Sequence, residues 1–334
     1  MNANVQPPPR ILAVDDEPSN LQLLRQILQD QYGMLYAKDG QRALELAQQE
    51  CPDLILLDVM MPGMTGYEVC RQLKAMPATA AIPVIFVTAL ADTSDELSGF
   101  EAGAVDYIMK PVSAPIVKAR VRTHLSLVRT NELRETRLQI VQRLGLAAEY
   151  KDNETGLHVI RMSHFARLLG RAAGMSEIEA EELLHAAPLH DVGKIGIPDR
   201  ILQKQGKLDA EEWRIMKSHV EIGARIIGEH PRGVLAVAHR VALGHHEKWD
   251  GSGYPLGLAG EAIPFEARIV AIADVFDALT SARPYKLAWS VEEALNYLRE
   301  NRGRHFDPAL VDLFLTLMDP VREIMQRWAE QEPG

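Results

Sequence analysis

The chain has 334 residues, longer than a single hydrophobic core usually supports, so two domains are expected. Its 36 basic and 46 acidic residues give a net charge of −10, shared about equally between residues 1–125 and the remainder, which argues against a DNA-binding output and an anionic-membrane surface. No apolar run reaches the length of a membrane span and the opening MNANVQPPPR lacks the apolar core of a signal peptide, so a cytoplasmic protein with no membrane partner is expected, its two cysteines, Cys51 and Cys70, reduced.

Residues 9–125 alternate short apolar runs (Ile11–Val14, Leu54–Leu57, Val84–Val87) with amphipathic stretches (Leu21–Leu28, Tyr67–Leu73, Glu96–Ala102). That pattern predicts βα units, a doubly wound parallel sheet covered on both faces, of the flavodoxin-like kind. Polar residues stand where the strands should end: Asp15 and Asp16, Asp58, Thr88, and Lys110. In such a sheet these ends converge on the ligand crevice. Three carboxylates there repel one another unless a cation lies among them, and Mg²⁺ suits an all-oxygen set. Asp58 is then placed as a nucleophile toward a phosphoryl group, with Lys110 and Thr88 contacting its oxygens. At these residues the domain resembles the receiver domain of two-component response regulators. The resemblance implies phosphorylation of Asp58 by a cognate sensor histidine kinase, Mg²⁺ ligation by Asp15 and Asp16, switch roles for Thr88 and Tyr107, and a phosphate contact from Lys110.

A helical connector is assigned to residues 126–148, within a proline-free stretch after Pro115. Apolar residues recur there at threes and fours: Val117, Val121, Leu125, Val128, Leu138, Val141, Leu144, Ala148. The spacing predicts one long helix with an apolar stripe, about 60 Å if about 40 residues are continuous. Two outcomes suit the stripe: a parallel coiled coil, hence a homodimer, or packing against the helix's own downstream domain.

Residues 149–334 are rich in helix formers without alternating strand patterns and are read as all-α. Helical periodicity shows at Glu179–Ala186, Trp213–Ile227, Val234–Leu243, Ala267–Leu279 and Val291–Leu298. Ten of the eleven histidines follow residue 125. Several stand with acids: Glu154 and His158, His190 and Asp191, His219, His245 and His246, and Asp274 inside the apolar run IVAIADVFDALT. A carboxylate in such a run is costly unless something positive neutralises it. Five imidazoles and three carboxylates exceed one tetrahedral ion and suit two or three octahedral ions, Fe or Mn favoured. Such a cluster generates hydroxide for attack on phosphorus. Lys194, one turn from Asp191, is placed to steady a phosphate oxygen, with Arg283 and Lys286 as further cations. His164, His185, His230, His239 and His305 are read as structural.

These residues, within ETGLH, HDVGKIGIPD, the His219 helix, HHEKWDGSGYP, IPFEARIVAIADVFDALTSARPYK and GRHFDP, resemble the HD-GYP branch of the HD-domain phosphohydrolases, which degrade cyclic di-GMP. The resemblance implies metal ligation by Glu154, His158, His190, Asp191, His219, His245, His246 and Asp274, with Asp191 bridging ions. It implies phosphate contacts from Lys194, Arg283 and Lys286, and a substrate-lining Tyr254 in the Gly253-Tyr254-Pro255 loop. The expected protein is a response regulator whose phosphorylation controls a cyclic di-GMP phosphodiesterase releasing pGpG, GMP or both. The rival readings are a cyclic-dinucleotide-binding adaptor with little turnover and a related phosphodiesterase preferring pGpG or a mixed cyclic dinucleotide.

Overall fold

The apolar runs of the first half form strands. A computed structural model describes residues 7–89, 99, 101–151, 156–281 and 288–329. In chain order it shows β1 (Arg10–Val14), α1 (Pro18–Leu28), β2 (Gly33–Ala37), α2 (Gly40–Glu50), β3 (Leu54–Asp58), α3 (Gly66–Ala75), β4 (Val84–Thr88) and β5 (Asp106–Met109). The sheet is parallel throughout, in the order β2-β1-β3-β4-β5. Alternation along each strand divides the core in two. Leu12, Val14, Ile55 and Leu57 pack on one face, and Ile11, Ala13, Leu54 and Leu56 on the other. Helices therefore cover both faces, and β3 and β4 are buried along their whole lengths. The helix expected over Glu96–Ala102 lies largely outside the described residues.

A single helix, α4 (Ala114–Lys151), follows, 38 residues without interruption. Its first turns bury Val117 and Val121 under the sheet, and Ala148, near its end, is buried in the core of the helical unit. In between, Leu127, Leu133, Ile140 and Leu144 are more than half exposed.

The rest is helical: α5 (Gly156–Ala172), α6 (Glu177–Ala186), α7 (Asp199–Leu202), α8 (Ala210–Lys217), α9 (His219–Ile227), α10 (Val234–Gly244), α11 (Phe265–Thr280), α12 (Val291–Glu300), α13 (Pro308–Leu315) and α14 (Met318–Arg327), with 3₁₀ turns at Ala187–Leu189 and Val192–Gly196. Capping boxes Ser176/Glu179, Asp209/Glu212 and Ser290/Glu293 start α6, α8 and α12, each typically contributing about 1 kcal/mol. Phe165, Phe276 and Phe314 meet edge to face in the core, with centroids 5.1–6.5 Å apart. The periodicity over Trp213–Ile227 does not form one helix. The chain tightens at Ser218, whose hydroxyl donates to the Ile215 carbonyl (2.6 Å), and α9 starts afresh at His219. Contacts divide the chain into two units, Met1–Arg134 and Glu135–Gly334. Among the described residues no helix is long and apolar enough to cross a membrane.

Candidate functional site

In the first unit, Asp15 follows β1 and Asp58 ends β3, neighbouring central strands, so the parallel register brings their carboxylates together. Both are buried, and oxygens of Asp15, Asp16 and Asp58 lie within 4.8 Å of one another. Lys110, just past β5, reaches between them, its Nζ 2.8 Å from Asp15 and 2.9 Å from Asp58. Burial pushes the Asp58 carboxyl up, opposed by Lys110 and assisted by Asp15. The lysine is raised in turn: burial works against its charge, and the two carboxylates outweigh it. Thr88 is buried at the end of β4. Tyr107 lies in β5 with the Arg120 guanidinium 5.6 Å from its ring centre. Arg120 also pairs with Asp106, as does His124 at 3.0 Å.

In the second unit, seven of the eight candidate ligands fall into two adjoining groups. Asp191, His219, His245 and His246 form one, and His158, His190 and Asp274 the other, each able to bring its ligand atoms within 4.8 Å of one another. Glu154, Arg283 and Lys286 lie outside the described residues. Asp191 stands between the groups. Its Oδ1 is 3.1 Å from His219 Nε2 and 3.5 Å from His245 Nε2, while its Oδ2 is 3.3 Å from His190 Nε2 and 2.8 Å from Lys194 Nζ. Asp274 Oδ1 lies 3.4 Å from His158 Nε2 and 3.8 Å from His190 Nε2.

The backbone aims three of these imidazoles. His190, His219 and His245 each follow the last turn of a helix, where a carbonyl can accept from a side chain as well as from a backbone amide. His190 Nδ1 lies 3.0 Å from Ala187 O, His219 Nδ1 2.7 Å from Met216 O, and His245 Nδ1 3.1 Å from Val241 O. A carbonyl only accepts, so the proton sits on Nδ1 and the Nε2 lone pair faces the site. Close approach is enforced at Gly193, where a Cβ would stand 1.8 Å from the His219 carbonyl oxygen; this glycine lets the HD turn rest directly on α9.

His158 is aimed by a side chain instead. Its Nδ1 is 2.7 Å from Asp277 Oδ2, and Arg161 holds the same carboxylate bidentately through Nε (2.7 Å) and a terminal nitrogen (2.9 Å). Arg161 also donates to Ser281 Oγ (2.6 Å) and to the Trp328 carbonyl (3.1 Å). The sequence reading passed over Asp277 and Arg161. It named Asp274 as the carboxylate of α11, and Asp277, one turn on, is a second one: the Asp274 side chain keeps 20% exposure and Asp277 has none. The available signal was a second aspartate at i+3 in the same apolar helix.

The donor set fits divalent ions. Among the described residues, Asp191 Oδ1, His219 Nε2 and His245 Nε2 are buried without a hydrogen-bond partner, despite their proximity, as ligand atoms do when aimed at a common point rather than at each other. Burial drives His245 and His246 down, His246 further because His245 adjoins it, so both imidazoles stay neutral and able to ligate. Burial opposes the charge on Asp191, but Lys194 and His190 hold it well below the usual carboxylate range. Asp274 is also low, burial being outweighed chiefly by His158. His158 itself is raised well above an ordinary imidazole: Asp274 and Asp277 overcome the effect of burial.

Tyr254 stacks on His246, with centroids 4.9 Å apart, and carries Lys217 over its ring at 5.1 Å. The loop bearing it is fastened by Glu247, a buried carboxylate accepting from the Leu256 (2.7 Å) and Leu258 (3.0 Å) amides.

A response regulator receiver domain family model matches residues 11–122 and an HD domain family model residues 129–310. A Vibrio cholerae protein named as a probable cyclic di-GMP phosphodiesterase is 42% identical over 96% of this chain and 80% of its own length. The Xanthomonas campestris cyclic di-GMP phosphodiesterase response regulator RpfG is 42% identical over 97% of this chain and 92% of its own. A Vibrio cholerae 3'3'-cGAMP-specific phosphodiesterase is 50% identical over 56% of this chain and 36% of its own. With relatives matched nearly end to end and the HD model spanning more than half its length, the chain belongs to the response regulators that join a receiver domain to an HD-GYP hydrolase domain.

Proposed function

We propose that this protein hydrolyses cyclic di-GMP to pGpG, GMP or both, at a site of two or three divalent ions, Fe or Mn favoured, under control of phosphorylation at Asp58. The observation that carries the reading is the disposition of Asp191, one oxygen toward His219 and His245 and the other toward His190 and Lys194. A carboxylate so placed can serve two ions at once. Bound there, the ions would supply a hydroxide near neutral pH and offset the charge growing on the phosphate oxygens. His219, His245 and His246 would hold one ion and His158, His190 and Asp274 another, with Glu154 as a further ligand. Lys194 neutralises a non-bridging phosphate oxygen, Tyr254 lines the dinucleotide, and Arg283 and Lys286 add phosphate contacts. In the receiver, Asp15 and Asp16 hold Mg²⁺, Asp58 takes the phosphoryl group from a cognate histidine kinase, and Lys110 moves from pairing with carboxylates to pairing with phosphate. Thr88 and Tyr107 answer that change. The exposed apolar residues of α4 support a homodimer, and the protein is assigned to the cytoplasm.

The 50% identity of the hydrolase half to a 3'3'-cGAMP-specific enzyme supports a second reading, in which a mixed cyclic dinucleotide is the better substrate. One experiment addresses both. Full-length protein loaded anaerobically with Mn²⁺ or Fe²⁺ is incubated with cyclic di-GMP, 3'3'-cGAMP or pGpG, and products are separated by chromatography beside Asp191→Ala. Metal-dependent linear product is expected from cyclic di-GMP, lost by at least 100-fold in the variant. Faster loss of 3'3'-cGAMP favours the second reading, and no metal-dependent product from any of them overturns both and leaves a binding adaptor.

A further inference from the structure

Lys151 is the last residue of α4, and its ammonium is spent largely on backbone carbonyls. Nζ donates to the carbonyls of Ile195 (2.8 Å) and Ile197 (2.7 Å), lies 3.5 Å from that of Lys194, and pairs with Asp199 at 3.3 Å. These carbonyls close the 3₁₀ turn Val192–Gly196, the turn that carries Lys194 over Asp191. The last carbonyls of a helical turn carry partial negative charge, and one cation gathering them fixes the turn. The Lys151 carbonyl is itself held by the Gln203 side chain, 3.3 Å away.

The same face of α4 grips the other flank of the HD pair. A Cβ on Gly145 would lie 2.5 Å from the Pro188 carbonyl oxygen, so helix and chain touch backbone to backbone two residues before His190. Ala148, one turn on, is buried in the core that holds Leu189 and Val192. Gly145, Ala148 and Lys151, spaced by threes, therefore seat α4 along residues 188–197, with Lys151 at the end nearest Lys194.

We propose that Lys151 is a positioning residue: it acts through the backbone of the Lys194 turn to hold the Lys194 ammonium where a phosphate oxygen of the substrate arrives. The proposal rests on the phosphodiesterase reading above and adds a role to a residue outside the ligand set. A contact worth 10²–10³ when deleted loses part of that when merely misplaced.

The test is a double-mutant cycle on the metal-loaded full-length protein: Lys151→Met, Lys194→Ala and the double variant, with Lys151→Arg to restore a donor. Lys151→Met is expected to lower kcat about tenfold with metal content unchanged, Lys151→Arg to recover most of it, and Lys151→Met in the Lys194→Ala background to cost less than twofold. Equal losses in both backgrounds would overturn the proposal and leave a merely structural role. Hydrogen exchange gives a readout independent of turnover. Amides of Lys194 and Ile197, which donate within the turn, should exchange faster in Lys151→Met, and unchanged exchange overturns the proposal even where activity falls. Wild type without turnover would count against the phosphodiesterase reading, and the exchange data alone would then decide whether Lys151 holds the turn.

Discussion

Asp277 and Arg161 show how a residue that touches no ligand atom of the common site can still govern it. The carboxylate is fully buried, accepts from His158 and is neutralised by a bidentate guanidinium. Removing its charge leaves Arg161 buried without a counter-ion and takes a charged acceptor from His158. Asp277→Asn is expected to weaken binding of the ion held by His158 by 10- to 100-fold, read by competitive chelator titration, with helical circular dichroism unchanged. Equal metal affinity in the two proteins would remove Asp277 from the site. Most candidate ligands could be picked out in the sequence because they are histidines or acids in a telling neighbourhood: a tandem pair, an i,i+4 pair or an apolar run. Asp277, Arg161 and Lys151 could not, because their meaning lies in partners 116 to 119, 116 and 44 to 46 residues away. Nothing in local spacing signals that a lysine at a helix end will find the carbonyls of a turn that far on.

At the scale of elements, short unbroken apolar runs gave strands and apolar residues at threes and fours gave helices, because strands covered on both faces bury every side chain and a surface helix buries one stripe. The exception is Trp213–Ile227, where an apolar pattern that continues in register hides a break at Ser218. That break presents His219 at a helix start with the Met216 carbonyl within reach, so what periodicity concealed is what the site uses. Helix α4 behaves differently along its length: buried residues at both ends, and Leu127, Leu133, Ile140 and Leu144 turned outward between them. Four large apolar residues on one exposed helix favour a second copy of that helix. Replacing Ile140 and Leu144 with Glu should convert a dimer to a monomer in sedimentation velocity at micromolar concentration, with catalytic-domain helicity retained. A wild-type protein that sediments as a monomer at every concentration contradicts the homodimer.

At the scale of the molecule, one chain joins a carboxylate cluster neutralised by a lysine to a histidine and aspartate cluster whose donors suit cations. Both are preorganised charge sites, and each gains when a ligand of complementary charge enters. For phosphorylation of Asp58 to alter turnover, the receiver must populate two conformations that differ in their effect on the hydrolase, and the change in rate is bounded by the differential stabilisation of those states. Beryllofluoride with Mg²⁺, which mimics an aspartyl phosphate, is expected to change either sedimentation or kcat by at least twofold in wild type and by nothing in Asp58→Ala. Identical behaviour with and without it would uncouple the two units.

The way the imidazoles are aimed also bears on how this site withstands mutation. His190, His219 and His245 take their orientation from main-chain carbonyls three or four residues back, and a main chain keeps its carbonyl whatever side chain it bears. Substitutions around them can drift so long as the helix ends persist. His158 is the exception, tied to Asp277, through it to Arg161, and so to Ser281 and the Trp328 carbonyl. Sequence change far along the chain therefore has a short route to the candidate metal ligands, and variation that tunes the site without destroying it should collect along that route.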